Sequence, residues 1–246
     1  METLTKVNLD SPRVKKVITD SISHSITGEL IGMANFASLA DTIEDIEEKM
    51  EAVEHAESER QHALGFIDMA RKYDMEPIIN TDGIYWKTMR DNFKKYARKG
   101  DFISCLVIQE VMLESYAVSM YRDLGKAIGG EIGELFLQTS EEEKEHLEHS
   151  SDILQDEFKI KGNSFVEHFH TLHLESMTVL AEFAAQTDLK GHCGVCNGTC
   201  MKDDLDAIGL NVKVLRANAL KTYAEALDNI GLPTEETTRW IVQLPL

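Results

Sequence analysis

The stretches that decide the fold are Glu59-Arg60-Gln61-His62 and Glu143-Lys144-Glu145-His146. In an α-helix, residues i and i+3 lie about 60° apart around the axis, so each stretch presents a carboxylate and an imidazole to one side. A lone glutamate precedes each stretch, Glu29 by 30 residues and Glu114 by 29. This distance fits a helix, a tight turn and part of an antiparallel partner. The pattern therefore predicts a duplicated helical hairpin.

Two lone glutamates and two Glu-x-x-His pairs form the ligand set of a di-iron four-helix bundle. The candidate metal ligands are Glu29, Glu59, His62, Glu114, Glu143 and His146. Four carboxylates and two imidazoles suit iron or manganese better than zinc or copper. The sequence thus predicts a centre for two metal ions, with iron expected and manganese possible, and it points to oxygen chemistry.

A Glu-x-x-His pair is weak evidence alone, because 43 acidic residues among 246 and nine histidines give roughly one or two chance pairs. The chain contains a third, Glu167-x-x-His170, which lacks a matching upstream glutamate. His168 and His173 spread around the helix there, so packed or solvated histidines are expected. Glu114, by contrast, lies in the apolar segment 111–118, where an ionised carboxylate is costly unless it is paired or bound to a metal.

Composition narrows the classes of protein and partner. Apolar residues make up 43% of the chain with only four prolines, which fits a compact helical protein. A net charge of −18 argues against nucleic acid or an anionic membrane as partner. Residues 1–17 lack an apolar core, so we expect no secretory signal and a cytoplasmic location. Residues 102–121 contain Gln109, Glu110 and Glu114 and indicate a core helix rather than a stable membrane span.

Helical periodicity and Gly/Pro breaks predict an all-α protein with a single domain over residues 1–246. The predicted helices span about 14–40, 41–73, 82–98, 102–126, 131–158, 164–187 and 202–229, followed by a short C-terminal helix. Gly28 and Gly32 bracket Glu29 and are predicted to allow close packing around it. Two interpretations stay open for the apolar residues of the fourth helix: they line a substrate site beside the metals, or most of them are core packing residues. They are Leu106, Val107, Val111, Met112, Ala117 and Val118.

Several motifs resemble cyanobacterial aldehyde-deformylating oxygenase. They are MRDNF at 89–93, CLVIQ at 105–109, LESYAVSMY at 113–121 and DNIGLPTEETTR at 228–239, together with the two ligand segments ERQHALGF at 59–66 and EKEHL at 143–147. The resemblance covers roughly residues 24–160 and 203–242. It implies a ferritin-like four-helix bundle with extra flanking helices, which binds two irons through the six residues named above.

The same resemblance implies a reaction. A long-chain fatty aldehyde, O₂ and four electrons give an alkane one carbon shorter and formate, with electrons from a ferredoxin and its reductase. Cys105 and Tyr121 match family positions that line or neighbour the site, so both are candidate catalytic residues.

A glycine-rich loop with three cysteines, within residues 188–201, looks like an insertion relative to that family. Cys193-x-x-Cys196 resembles a redox dithiol, and a zinc site with Cys200 as third ligand is a second interpretation. A plain loop with free thiols is the third. The loop leaves the electron donor and the substrate open.

Three alternative functions remain at this stage. One is a ferritin-like di-iron oxygenase acting on another apolar substrate, such as an amine or an acid. Another is rubrerythrin-like peroxide scavenging or ferritin-like iron handling. The last is a helical bundle whose Glu/His pairs are incidental.

Overall fold

The computed structural model describes residues 6–185 and 194–244. Its eight helices are α1 (Pro12–Leu39), α2 (Ile46–Lys72), α3 (Ile84–Ala97), α4 (Phe102–Ile128), α5 (Gly130–Lys161), α6 (Asn163–Leu172, His173–Met177 and Thr178–Ala185 in succession), α7 (Val212–Ile230) and α8 (Thr234–Val242). Within these ranges there is no β-strand, which confirms the predicted all-α class.

Two helical hairpins form the centre of the molecule. Helix α1 packs along α2, and α4 packs along α5. The second hairpin turns at Gly129 and Gly130, whose φ angles of 64° and 61° lie in the left-handed region that glycine tolerates. Just beyond the turn the backbones touch, because a Cβ on Gly125 would lie 2.7 Å from the carbonyl oxygen of Gly133. Glycine at both positions therefore permits the close crossing.

Two helices begin later than predicted. Helix α2 starts at Ile46 rather than near residue 41, because the Asp45 side chain caps it by accepting the backbone N–H groups of Glu47 and Glu48. Helix α7 starts at Val212 rather than near residue 202. Short 3₁₀ turns occupy Met201–Asp203 and Leu205–Ile208, and then Gly209, at a φ of 75°, ends the second turn. Asn211 caps α7 by accepting the backbone N–H of Lys213, so a capping side chain stands at the start of both helices.

Helix α4 contains a π-helical segment, Val107–Leu113, immediately before Glu114. Such wider turns often occur at functional sites. Among the described helices α4 alone has the length and apolar composition to cross a membrane, and 72% of its most apolar window is buried inside the bundle. It is placed as a core helix, as the sequence predicted.

Two apolar clusters divide the bundle along its length. One contains Phe36, Val107 and Leu154, and the other contains Ile22 and Phe136. On each of the four central helices, the predicted metal ligands lie between the residues that belong to the first cluster and those that belong to the second. The fold thus places polar side chains in the middle of an apolar interior.

Candidate metal centre

The structure brings all six predicted ligands together inside the bundle. They are Glu29 on α1, Glu59 and His62 on α2, Glu114 on α4, and Glu143 and His146 on α5. Each is between 2% and 6% exposed. Charged residues this deeply buried normally need partners or a metal ion.

The six side chains form two overlapping groups. Glu29 and His62 are specific to one group, Glu114 and His146 are specific to the other, and Glu59 and Glu143 belong to both. In each group the potential ligand atoms lie within 4.8 Å of one another. Because Glu59 and Glu143 belong to both groups, their carboxylates could each bridge two cations. The arrangement could therefore hold two metal ions side by side.

Several polar atoms of the centre lack a hydrogen-bond partner. Both oxygens of Glu114, Oε2 of Glu143 and Nδ1 of His146 are buried and unpartnered within the described part of the chain. The Nδ1 atom of His146 is 3.5 Å from Glu143 and 3.8 Å from Glu114. Because buried polar atoms are nearly always satisfied, these unpartnered carboxylate oxygens and this imidazole nitrogen fit a bound cation, to which each can offer a lone pair.

The charges lead to the same conclusion. Burial raises the pKa of Glu59 and of Glu114 well above the usual range, and the nearby charge of Glu143 raises both further. Burial would also raise the pKa of Glu143, but the neighbouring imidazoles of His146 and His62 outweigh it and lower this pKa to about 2. Two carboxyl groups that resist ionisation need added positive charge to act as ligands, and a metal ion supplies it.

His62 is held from two sides. Its Nδ1 lies 3.2 Å from Glu29 Oε2 and 3.1 Å from Glu143 Oε1, while its Nε2 lies 2.6 Å from Glu142 Oε2. Burial would lower the pKa of His62, but Glu143 and Glu29 raise it to about 11. Glu142 fixes the ring from outside, as carboxylates behind metal-binding histidines commonly do.

Other contacts shape the centre from behind. The Tyr121 hydroxyl donates to Glu29 Oε1, and Asn35 Nδ2 donates to Gln109 Oε1 at 2.8 Å. A Cβ on Gly32 would lie 2.7 Å from the carboxyl carbon of Glu59. The prediction that small residues beside Glu29 allow close packing around a ligand is thus confirmed at Gly32.

The sequence did not single out Glu142, which sits in a run of acidic residues and looks like surface charge. Asn35 had no signal either, because one buried amide in a helical stretch is unremarkable by composition. Both roles depend on the facing helix, which periodicity does not specify.

A cavity runs from the centre between the helices. Its lining includes the carboxylates of Glu29, Glu59, Glu114 and Glu143, and its other polar or charged lining residues are Ser21, His24, Ser25, Gln109, Lys202 and Arg216. Its apolar wall consists mainly of Ile31, Trp86, Leu113, Tyr116, Ala117, Met120, Leu124, Phe183, Val212 and Leu215. An apolar cavity with a few convergent polar groups is the usual form of a small-molecule site.

Most of the apolar residues named on the fourth helix pack in the core and do not line this cavity, which agrees with the second of the two interpretations. Of these six residues, Ala117 alone lines it. The side chains of α4 that line the cavity fall at positions 109, 113, 114, 116, 117, 120, 121 and 124, and their spacing is that of one side of a helix. Leu106, Val107, Val111 and Met112 pack into one apolar core cluster, and Val118 is also buried.

The two candidate catalytic residues lie in different places. Tyr121 lines the cavity and contacts Glu29. Cys105 lies outside the cavity lining, with its Sγ 3.9 Å from the carbonyl oxygen of Phe93. Burial raises the pKa of the Cys105 thiol to about 12, which favours the protonated thiol over the thiolate.

Part of the cysteine loop can be placed. Cys193 lies outside the described residues. The Sγ atom of Cys196 is 3.6 Å from His24 Nε2 and accepts the backbone N–H of Met201 at 3.5 Å. Cys200 is buried and, like His24, lines the cavity. The hydrogen bond with Cys196, followed by burial, raises the pKa of Cys200. Among residues 6–185 and 194–244, no cysteine belongs to a group of three potential metal ligands.

The third Glu-x-x-His pair behaves as an ordinary packing element. Glu167 is exposed, and the His170 ring stacks on Trp240 with centroids 4.7 Å apart. His168 Nε2 lies 2.8 Å from the Ser104 hydroxyl. Nowhere in the described chain do these histidines join a potential metal-binding group. The prediction of packed histidines is consistent with these contacts.

A bundle of two helical hairpins with buried carboxylate and imidazole groups at its centre is the architecture of ferritin-like proteins. The family model for long-chain fatty aldehyde decarbonylase matches residues 15–244, so the chain belongs to this family. A solved structure from Synechococcus, described as a protein with aldehyde deformylating oxidase activity, has the same fold with a TM-score of 0.82. The match covers 96% of this chain and 100% of that one at 19% identity.

Proposed function

We propose that this protein is a di-iron oxygenase that converts a long-chain fatty aldehyde to an alkane one carbon shorter and formate. The observation that carries the proposal is the apolar cavity whose lining includes the carboxylates of the centre. A long alkyl chain fits such a wall by burial of apolar surface, and its aldehyde group would then meet these polar groups. Family membership supports the same substrate class.

Glu29, Glu59, His62, Glu114, Glu143 and His146 would hold two iron ions, with Glu59 and Glu143 shared between them. The ligand set also accepts manganese. When bound, the metal pair supplies the redox chemistry by which O₂ is activated. The protein side chains would bind the substrate, orient the ligands and exclude water.

The side chains around the centre have positioning roles. Glu142 holds the outer nitrogen of His62, and Tyr121 donates to Glu29, so each contact fixes the orientation of one proposed ligand. The apolar wall excludes water from the aldehyde end of the substrate and limits competing hydrolysis and proton leakage. Cys105 remains a predicted catalytic residue only by resemblance, because its thiol faces the core.

The overall reaction requires electrons that the protein does not contain. An aldehyde RCHO, O₂, four electrons and three protons give RH, formate and water. We infer that a ferredoxin-like protein or another reductase supplies the electrons, and that the protein works in the cytoplasm. The Cys193-x-x-Cys196 pair would be an alternative electron carrier, or with Cys200 a zinc site. The loop spanning residues 188–201 is proposed as an insertion in a single domain.

Incubation of iron-loaded protein with fatty aldehydes of several chain lengths, a reductant and O₂ tests this proposal. Formate and the hydrocarbon one carbon shorter should form in equal amounts. Ala117→Phe should reduce turnover of the longest chains because the ring occupies the cavity, while the iron content stays at the wild-type level.

Other outcomes would replace the proposal. Oxidised products from a fatty amine or acid, with none from aldehydes, would assign a different apolar substrate. Rapid peroxide consumption without any hydrocarbon would assign peroxide scavenging, and assembly into a cage that stores iron would assign iron handling.

A further inference from the structure

A second group of potential metal ligands lies beside the centre and takes no part in it. Glu51 and His55 occupy successive turns of α2, and His149 follows His146 by one turn on α5. One potential ligand atom from each of the three lies within 4.8 Å of those from the other two. None of the three lines the cavity. The group is therefore distinct from the proposed substrate site.

Both imidazoles present one nitrogen to carboxylates near the surface. His55 Nε2 lies 3.3 Å from Glu51 Oε1, and His149 Nε2 lies 3.6 Å from Glu48 Oε2. The two ring centroids are 5.5 Å apart, with the ring planes perpendicular. His55 is buried, His149 is 30% exposed, and both glutamates are partly exposed. Solvent therefore reaches this group, unlike the six buried residues of the centre.

The other nitrogen of each ring faces Glu110, on the π-helical segment of α4. His55 Nδ1 lies 3.8 Å from Glu110 Oε1, and His149 Nδ1 lies 3.9 Å from Oε2. Both distances are too long for hydrogen bonds. Glu110 is 1% exposed, and its Oε2 has no hydrogen-bond partner in the described structure. A buried carboxylate is thus directed at two imidazoles without being satisfied by either.

We propose that Glu51, His55 and His149 bind a third metal ion, a divalent transition-metal cation, and that Glu110 positions the two histidines from behind. Ligation through the outer nitrogens leaves an N–H on each inner nitrogen, and Glu110 can accept both. A carboxylate behind metal-binding histidines fixes their tautomer and orientation. Two imidazoles and a carboxylate select a cation such as Fe²⁺, Co²⁺ or Zn²⁺ over Mg²⁺ or Ca²⁺.

This third site adjoins the centre through two neighbouring imidazole rings, which are tilted by 30° to each other. The centroids of His55 and His146 lie 4.0 Å apart. An ion held by His55 therefore sits between the partly exposed glutamates and a proposed ligand of the centre. That position suits an ion on its way to or from the centre.

Cobalt binding tests the third site without any measurement of activity. Equilibrium dialysis of metal-free wild-type protein against Co²⁺ should give three ions per chain, and diffraction at the cobalt edge should place one at the Glu51–His55–His149 group. His149→Ala should bind two ions and keep both at the centre. Glu110→Gln should lower the affinity for the third ion by about 10–100-fold, the usual effect of losing such a supporting carboxylate. A large excess of Mg²⁺ should not displace the third ion.

Two control variants separate this proposal from the centre. Glu54→Gln, at an exposed position beside His55, should retain all three ions. Glu114→Ala should disturb the centre while cobalt remains at the third site. Cobalt restricted to the centre of the wild type, or a third ion that survives in His149→Ala, would overturn the proposal. In that case Glu110 and the two histidines form only a buried charge network.

Discussion

Glu59-x-x-His62 and Glu167-x-x-His170 have the same spacing and opposite surroundings. The first faces carboxylates from three other helices, with Glu29 and Glu143 within 3.2 Å of the His62 ring. The second has an exposed glutamate and a histidine stacked on Trp240. Spacing places two side chains on one face of a helix. What that face meets decides whether the pair can bind a metal.

The two regions also shift the pKa of their buried histidines in opposite directions. Carboxylates raise the pKa of His62 to about 11 against the effect of burial. His173, which follows the second pair on α6, is buried beside the Tyr223 hydroxyl at 3.0 Å, and burial lowers its pKa to about 4. One region therefore favours positive charge and the other excludes it.

The largest expected effect is the loss of metal from Glu59→Gln. Glu59 belongs to both ligand groups, and an amide is a much poorer bridge than a carboxylate. Iron measured by elemental analysis should fall from two per chain to nearly none. Glu167→Gln is the matched control and should keep both irons. If Glu59→Gln kept its iron, or Glu167→Gln lost it, the two pairs would not differ in metal binding as we expect.

Gly32→Ala should have the next largest effect. The new Cβ would meet the Glu59 carboxyl group at 2.7 Å and displace it. We expect metal affinity to fall on the order of 100-fold, the upper end of the loss caused by mutating residues that orient metal ligands. At Gly28 a Cβ would meet only the Trp86 ring, at 3.3 Å. Competition with a chelator measures both affinities, and equal losses in the two variants would contradict this explanation.

His173 should make the metal-free protein sensitive to acid. Its folded pKa of about 4 lies below the unfolded value of 6.5, so the unfolded chain binds more protons between these values and stability falls as pH falls. This contributes a loss of about 2 kcal/mol between pH 7 and pH 5. Urea unfolding at both pH values should show a smaller loss in His173→Gln. An unchanged loss would refute the contribution.

Glu142→Ala should have the smallest effect. The change removes the carboxylate that lies 2.6 Å from His62 Nε2 but leaves all six proposed ligands. Metal affinity should fall by about 10-fold, the lower end of such supporting effects. Glu141→Ala, at an exposed neighbouring position, should bind metal like the wild type, and a loss there as large as at Glu142 would assign the effect to general surface charge.

The sequence was most informative where local patterns determine the result. Helical periodicity predicted the all-α bundle, and the spacing of Glu59, His62, Glu143 and His146 placed them on facing sides of two hairpins. Their assignment as iron ligands stays a prediction, and so do the single domain over residues 1–246 and the insertion at 188–201. Cys193 lies outside the described residues.

Features that depend on the facing partner could not be predicted in this way. The cavity lies along positions 113–124 of α4 rather than along the preceding apolar run, because packing of α1, α6 and α7 determines which face is open. The contacts of Glu110 with His55 and His149 join three separate helices. No single stretch of sequence contains that information.

The π-helical segment of α4 limits how residue positions can be compared between relatives. A π turn accommodates one residue more than an α turn, and each helical residue rotates the chain by about 100°. Deleting one residue within Val107–Leu113 would let the α-helix continue, while Glu114 stayed in place and everything before it rotated. Gln109 and Glu110 would leave their partners, and position 105 would face elsewhere. Residues that follow Glu114 can therefore be matched between relatives by their distance along the chain from Glu114. Residues that precede Glu114 can be matched in this way only between relatives that share the π-helical turn.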